Sequence, residues 1–270
     1  MNVQTQKNIL YLKKSFLEWN IMTETSCLED RQIISRSYEI WNHSVSIANS
    51  IVNEFHLVDI ITCLKRAVEH RTKIIYKFYN LKNLTIKANK KDRLELLTHL
   101  NIIRPLMLKK LYSIRNKVEH EDAAPPTLSE CTELIDFVWY YLRSTDKICS
   151  EIPESLIFED YSCDFEHETE KRNWLSISIS PEQKWEIRIN GWINEKHFVD
   201  APTTPEELSS YVEFETKRSK QESFEEKQDI SYQKSHSNKL DSDYWITGAI
   251  PKGSSIYEEI IYLYFKNLLI

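Results

Sequence analysis

The chain has 270 residues, of which 41% are hydrophobic and 28% charged, and only 3 are glycine. Average usage of about 7% would give roughly 19 glycines. All three present, Gly191, Gly248 and Gly253, fall in the last third, so the first 190 residues hold no glycine-rich phosphate or dinucleotide loop. The net charge of −6 is unevenly spread: residues 1–150 carry 22 Lys+Arg against 17 Asp+Glu, a balance of +5, and residues 151–270 carry 13 against 24, a balance of −11.

From Leu28 to Asn80 the apolar residues recur at three- and four-residue steps (Ile33, Ile34, Tyr38, Trp41, Val45, then Val58, Ile61, Leu64, Val68, Ile75). This predicts two long helices, broken near Phe55 and His56 and packed as antiparallel neighbours. Leu81 to Lys91 is lysine-rich and reads as a loop, after which Asp92 opens another helix. Arg104-Pro105 restarts the chain, because proline fits a first helical turn and disfavours the α region before it. Pro105 to His120 carries Met107, Leu111, Ile114 and Val118 as an amphipathic stripe. Thr127 with Glu130 three residues on is a capping-box signature for a helix from Leu128 to about Lys147. Residues 1–150 are therefore expected to be an α-helical bundle of four to five helices.

In residues 151–270 the texture changes, and a small α+β C-terminal domain is expected. Trp174 to Ile179 and Trp185 to Ile189 alternate apolar with polar residues and predict two antiparallel strands around the loop SPEQK. Gly191-Trp192 is expected to start a third strand ending near Val199. Glu213 to Asp243, dense in Lys, Glu, Ser and Gln, reads as an exposed helix and a polar linker. Tyr244 to Ile250 is expected as a strand and Ile256 to Leu268 as a terminal helix.

The five cysteines are odd in number and never spaced C-x-x-C, so neither a disulfide framework nor a zinc site is suggested, and they read as buried thiols. No N-terminal apolar signal core and no membrane-spanning run is present in this sequence, which reads as cytoplasmic. Gly248-Ala-Ile-Pro-Lys-Gly253-Ser254-Ser255 departs from a phosphate loop at Ser254, where lysine is required, and reads as a turn. His167 among Asp164, Glu166, Glu168 and Glu170 reads as a solvated acidic loop.

The segment Leu111-Tyr112-Ser113-Ile114-Arg115-Asn116-Lys117-Val118-Glu119-His120 stands at the end of an amphipathic helix, before a proline turn and a helix with Phe137-Val138-Trp139-Tyr140-Tyr141-Leu142. Its wording resembles the signature of the HEPN (higher eukaryotes and prokaryotes nucleotide-binding) superfamily, over roughly residues 25–148. Arg36/His43 and Arg93/His99 have comparable spacing, but Leu94 replaces the polar neighbour after Arg93 and Arg36 lies in the first long helix. The resemblance implies a HEPN-type endoribonuclease with Arg115, Asn116 and His120 as catalytic residues. It also implies a homodimer that brings two motifs into one cleft, and a role as a toxin or antiviral abortive-infection effector acting on tRNA or mRNA. Asp122 stands where related toxins place a modifiable tyrosine.

These residue types suit RNA transesterification without metal or cofactor. A base must take the 2′-OH proton, an acid must protonate the leaving 5′-oxygen, and a cation must meet the charge on phosphate. Histidine serves as base or acid near neutrality, and the arginine fork holds two phosphate oxygens. At about 100° per residue, Arg115 and His120 stand roughly 140° apart around a helix, so one intact helix is expected to make an incomplete site. Unwinding at Glu119-His120 or a second copy would complete it. Lys117, Lys87, Lys90 and Lys91 are candidate RNA-backbone contacts, and Trp139, Tyr140 and Tyr141 candidate base-stacking rings, with core packing the default for Trp139. Two alternatives remain open. Arg115 and His120 can serve only to finish the helix, with Arg115 paired to Glu119, or the chain can be a non-catalytic scaffold or sensor whose C-terminal half binds a regulatory protein.

Overall fold

Helix formation in the first half follows the apolar spacing. A computed structural model describes residues 8–27, 32–86, 92–121, 123–160, 173–199, 211–220 and 243–269. Helices α1 (Gln32–Ala48) and α2 (Phe55–Phe78) form there, and α2 buries Ile60, Ile61, Leu64, Ala67, Val68 and Ile75 along one face. Ser37 near the start of α1 meets His70 near the end of α2 (Oγ to Nδ1, 3.0 Å), so the two helices run antiparallel. Helix α3 (Arg93–His99) is capped by the Asp92 carboxylate, which accepts from the Leu94 amide. Helix α4 (Pro105–His120) has proline in its first turn, where the missing N–H costs nothing. The Thr127 and Glu130 capping box opens α5 (Leu128–Ser144), and α6 (Asp146–Ser150) follows. Cys131 lies against the Leu57 carbonyl and Tyr141 bonds Thr72 (OH to Oγ1, 3.0 Å), so α2 and α5 run parallel.

The strands are β1 (Asn8–Lys13), β2 (Asn20–Cys27), β3 (Glu151–Glu159), β4 (Trp174–Ser180), β5 (Glu186–Asn194), β6 (Phe198–Val199), β7 (Tyr211–Lys220) and β8 (Asp243–Ala249). They form one eight-stranded sheet in the order β2-β3-β4-β5-β8-β7-β1-β6. Its inner face is built from alternate residues such as Leu156 and Phe158, Leu175 and Ile177, Ile187 and Ile189. Helix α7 (Ser255–Leu269) ends the described chain. Residues form two compact units, Met1–Thr25 with Pro153–Ile260 and Ser26–Ile152 with Ile261–Ile270.

The expected helical bundle followed by a small α+β domain is corrected by this topology. The chain is a mixed α+β fold whose eight-stranded sheet draws on both ends of the sequence. Three local readings fail with it. The first 27 residues supply β1 and β2, where no element was expected. Residues from Glu213 to Lys220 form strand, not helix: β7 pairs antiparallel with β1 and with β8. Gly191 does not begin a strand but lies inside β5, opposite Leu175 and Ile246. It is glycine because a Cβ there would stand 2.1 Å from the Trp174 carbonyl oxygen.

The sheet is curled. β1 and β2 stand six places apart in it, about 29 Å if flat at roughly 4.8 Å per strand. Yet only Lys14–Trp19 joins them, mostly as a 3₁₀ turn rising about 2 Å per residue. Phe16 of that turn is buried edge-on against Phe158 at 5.4 Å, and Trp19 meets the His197 ring at 5.2 Å. Among the described cysteines Cys63, Cys131 and Cys149 are buried, whereas Cys27 is exposed, against expectation. No helix among the described residues is long and apolar enough to cross a membrane.

Candidate functional site

Helix α4 is anchored from one side. Leu108 and Leu111 are buried, and Tyr112 leans under the Lys65 ammonium, 5.9 Å from its ring centre. Burial, with Glu69 and Asp92 nearby, pushes the Tyr112 phenol up to about 12, so it stays protonated at neutral pH. The opposite face exposes Lys109, Lys110, Ser113, Asn116, Lys117 and His120 at three- and four-residue steps. The helix closes where the Glu121 and Ala123 amides donate to the Lys117 carbonyl at 3.0 and 3.3 Å. His120 thus occupies the last helical position, at the negative end of the helix dipole.

Arg115 and His120 meet without unwinding of the helix. Arg115 Nη1 donates to Asn116 Oδ1 at 3.2 Å and stands 3.3 Å from His120 Nε2. The 140° separation describes where the two side chains leave the helix, and the long arginine chain spans it. A guanidinium only donates, so a hydrogen bond between the two is accepted at Nε2. Asn116 and His120 are exposed and Arg115 is half-buried. The cluster therefore offers solvent a cation, an amide and an imidazole, groups that can hold an anion and exchange a proton.

The other Arg–His spacings have different partners. Arg36 pairs with Glu39 at 2.7 Å, Arg93 lies over the Tyr76 ring at 5.4 Å, and His99 bonds the Tyr262 hydroxyl. Lys117 is exposed on α4 beside Asn116. Lys87, Lys90 and Lys91 lie outside the described residues, as do Asp122 and the acidic segment around His167. The Glu119 side chain is likewise outside the description, and with it the expected Arg115–Glu119 pair. Of the segment expected as a turn, Gly248 and Ala249 belong to β8, and the chain turns toward α7 only over the residues up to Ser254, whose hydroxyl donates to the Pro251 carbonyl at 2.8 Å.

Lys109, Lys110 and the exposure of Trp139 escaped the sequence reading. Trp139 does not take its default place in the core: the buried arc of α5 is Cys131, Leu134, Ile135, Val138, Tyr141 and Leu142. Trp139 and Tyr140 fall outside that arc. The spacing that reveals it is present in the sequence: at about 100° per residue the buried positions span about 120° centred on Val138, and Trp139 falls about 40° outside them. Comparison of the chain with protein-family models, curated proteins and solved structures finds no match.

Proposed function

We propose that the protein is a metal-independent endoribonuclease of HEPN type that cleaves RNA by attack of a 2′-OH on the adjacent phosphorus. The products are a 2′,3′-cyclic phosphate and a 5′-hydroxyl. The observation that carries this reading is the exposed cluster at the end of α4, in which Arg115 Nη1 stands 3.3 Å from His120 Nε2 and 3.2 Å from Asn116 Oδ1. In the resting site Arg115 holds the Nε2 lone pair. When a phosphate arrives, its oxygens compete for the guanidinium, since a charged acceptor binds it more strongly than a neutral imidazole. Nε2 is then free to take the 2′-OH proton, while Arg115 and the Asn116 amide stabilise the charge growing on phosphorus.

A single cluster has one histidine and the reaction needs an acid as well as a base. In this reading a second copy supplies the acid, its own His120 protonating the 5′-oxygen as the P–O bond breaks. Exposed apolar residues at the same end of the helical unit support self-association there. Val52 stands three residues before α2 and Phe55 begins it, Leu128 begins α5 beside it, and α4 finishes eight residues before Leu128. The biological role is that of a cytoplasmic toxin or antiviral effector acting on tRNA or mRNA, with the acidic residues 151–270 available to a regulatory protein.

Cleavage of total RNA by the full chain, compared with His120→Ala and Arg115→Ala, tests the site. The alanine variant of His120 is expected to lose about 10²- to 10⁴-fold in rate, and Arg115→Lys to fall well below the parent because the fork is lost. Cleavage that survives both alanine substitutions removes the assignment.

A further inference from the structure

The exposed face that α4 and α5 present has two chemistries side by side. Along α4 (Pro105–His120) there are four Lys and Arg against one Glu, and Lys109, Lys110 and Lys117 stand on its solvent face with Asn116 and His120. On α5, Trp139 is 37% exposed and Tyr140 65%, with their rings 5.0 Å apart and nearly perpendicular. Arg143 lies over the Trp139 ring at 5.7 Å. Lys110 and Glu133 pair at 3.5 Å and join the two helices. Measured from this pair, His120 lies ten residues further along α4, and Trp139 and Tyr140 lie six and seven residues further along α5. At about 1.5 Å per residue the two paths are about 15 Å and 10 Å long, so the helices carry the two groups up to roughly 25 Å apart.

We propose that this face is a track for single-stranded RNA, in which Lys109, Lys110 and Lys117 follow the phosphates and the Trp139–Tyr140 pair stacks an unpaired base several nucleotides from the scissile linkage. The proposal rests on the nuclease reading for its choice of ligand and deepens it. Exposed aromatic rings give affinity for any base through its π-face, and lysines spaced along a helix neutralise a backbone without reading sequence. A duplex hides its base faces and cannot use the rings. The acidic side chains on the same face of α5 are Glu133, which Lys110 occupies, and Asp136. At about 3.4 Å per stacked nucleotide, 25 Å corresponds to about seven nucleotides, so a short oligomer reaches one end of the track and a longer one both.

The test uses the full chain carrying His120→Ala, so that RNA is bound and not cut, with labelled 12-mer oligouridylate and a 12-base-pair RNA duplex. Tyr140→Ala and Trp139→Ala are each expected to weaken 12-mer binding by about 5- to 100-fold, and to leave the duplex unchanged. Tyr140→Phe, which keeps the ring, should bind the 12-mer like its parent. Replacing Lys109 and Lys117 together by alanine should lower the slope of log affinity against log salt by about 1.4. Unchanged 12-mer affinity in both aromatic variants overturns the track, as does failure of the parent to bind the 12-mer, which would leave this face to a protein partner. If the aromatic residues govern binding but the unsubstituted chain leaves RNA intact, the track stands and the nuclease reading falls. If RNA is cut but the aromatic variants bind normally, the reverse holds.

Discussion

Replacing Asp146 by alanine should strand a buried cation in the helical unit. Arg71 is fully buried, and its guanidinium bonds Asp146 Oδ1 at 2.8 Å. The Arg71 Nε and Nη2 atoms have no hydrogen-bond acceptor among the described oxygens and nitrogens, and the guanidinium lies between the Tyr38 ring, at 5.4 Å, and the Cys149 thiol. Asp146 is therefore its only close counter-charge among the described residues, and its other oxygen accepts from the Tyr38 hydroxyl at 2.7 Å. Breaking a buried pair by removing one partner costs about 3–5 kcal/mol, and the lost Tyr38 bond adds about 1 kcal/mol. The Asp146 side chain is 29% exposed, so water entering beside Arg71 offsets part of this and the expected loss is about 3–4 kcal/mol. Arg71→Met should cost less, about 1–2 kcal/mol, because it leaves a carboxylate that water can reach and fills the site with an apolar chain. Urea unfolding followed by far-UV circular dichroism measures both. An Asp146→Ala loss below about 1 kcal/mol, or one smaller than that of Arg71→Met, would refute the view that a stranded buried cation dominates the cost.

Gly191→Ala should destabilise the sheet by at least 1–3 kcal/mol, since the new Cβ would sit 2.1 Å from the Trp174 carbonyl oxygen; an unchanged urea midpoint would contradict it. His197 and His70 should make stability fall with acid. Burial lowers both imidazoles, with Lys196 adding to the effect at His197 and Asp160 opposing it, and with Arg36 and Lys73 adding at His70. The unfolded chain then binds more protons than the folded one between the folded value and about 6.5. Stability should be full above that pH, decline below it, and level off beneath the folded values. Urea midpoints from pH 7.5 to 5 should show this slope, and His197→Gln with His70→Gln should flatten it.

Local signals were legible where the chemistry is local. Thr127 and Glu130 predict a cap, and both reciprocal bonds form, the Thr127 amide donating to Glu130 Oε2 at 2.8 Å. Pro105 and Asp92 mark helix starts for equally local reasons. Strands whose identity rests on distant partners were not legible. Tyr11 of β1 pairs with Val199 and Glu213, nearly two hundred residues away, and no periodicity within six residues announces that. The charged wording from Glu213 onward reads as an exposed helix because the pairing of Tyr211–Lys220 on two sides, with β1 and β8, lies outside the window. At the site, the motif residues were legible, but their separation was judged from helix angle alone, and the reach of the Arg115 side chain closes it to 3.3 Å. Exposure of Trp139 follows from a helix whose buried arc is already complete without it.

The chemistry of the cut ends tests the proposed reaction most directly. A defined single-stranded RNA should be incubated with the full chain in the presence of a chelator, and the fragments examined by mass spectrometry for their termini. Attack by the 2′-OH with His120 as base predicts 2′,3′-cyclic phosphate and 5′-hydroxyl ends, absent when the 2′-positions are methylated and absent with His120→Ala. Fragments ending in 5′-phosphate, or cyclic-phosphate ends produced equally by His120→Ala, would contradict it.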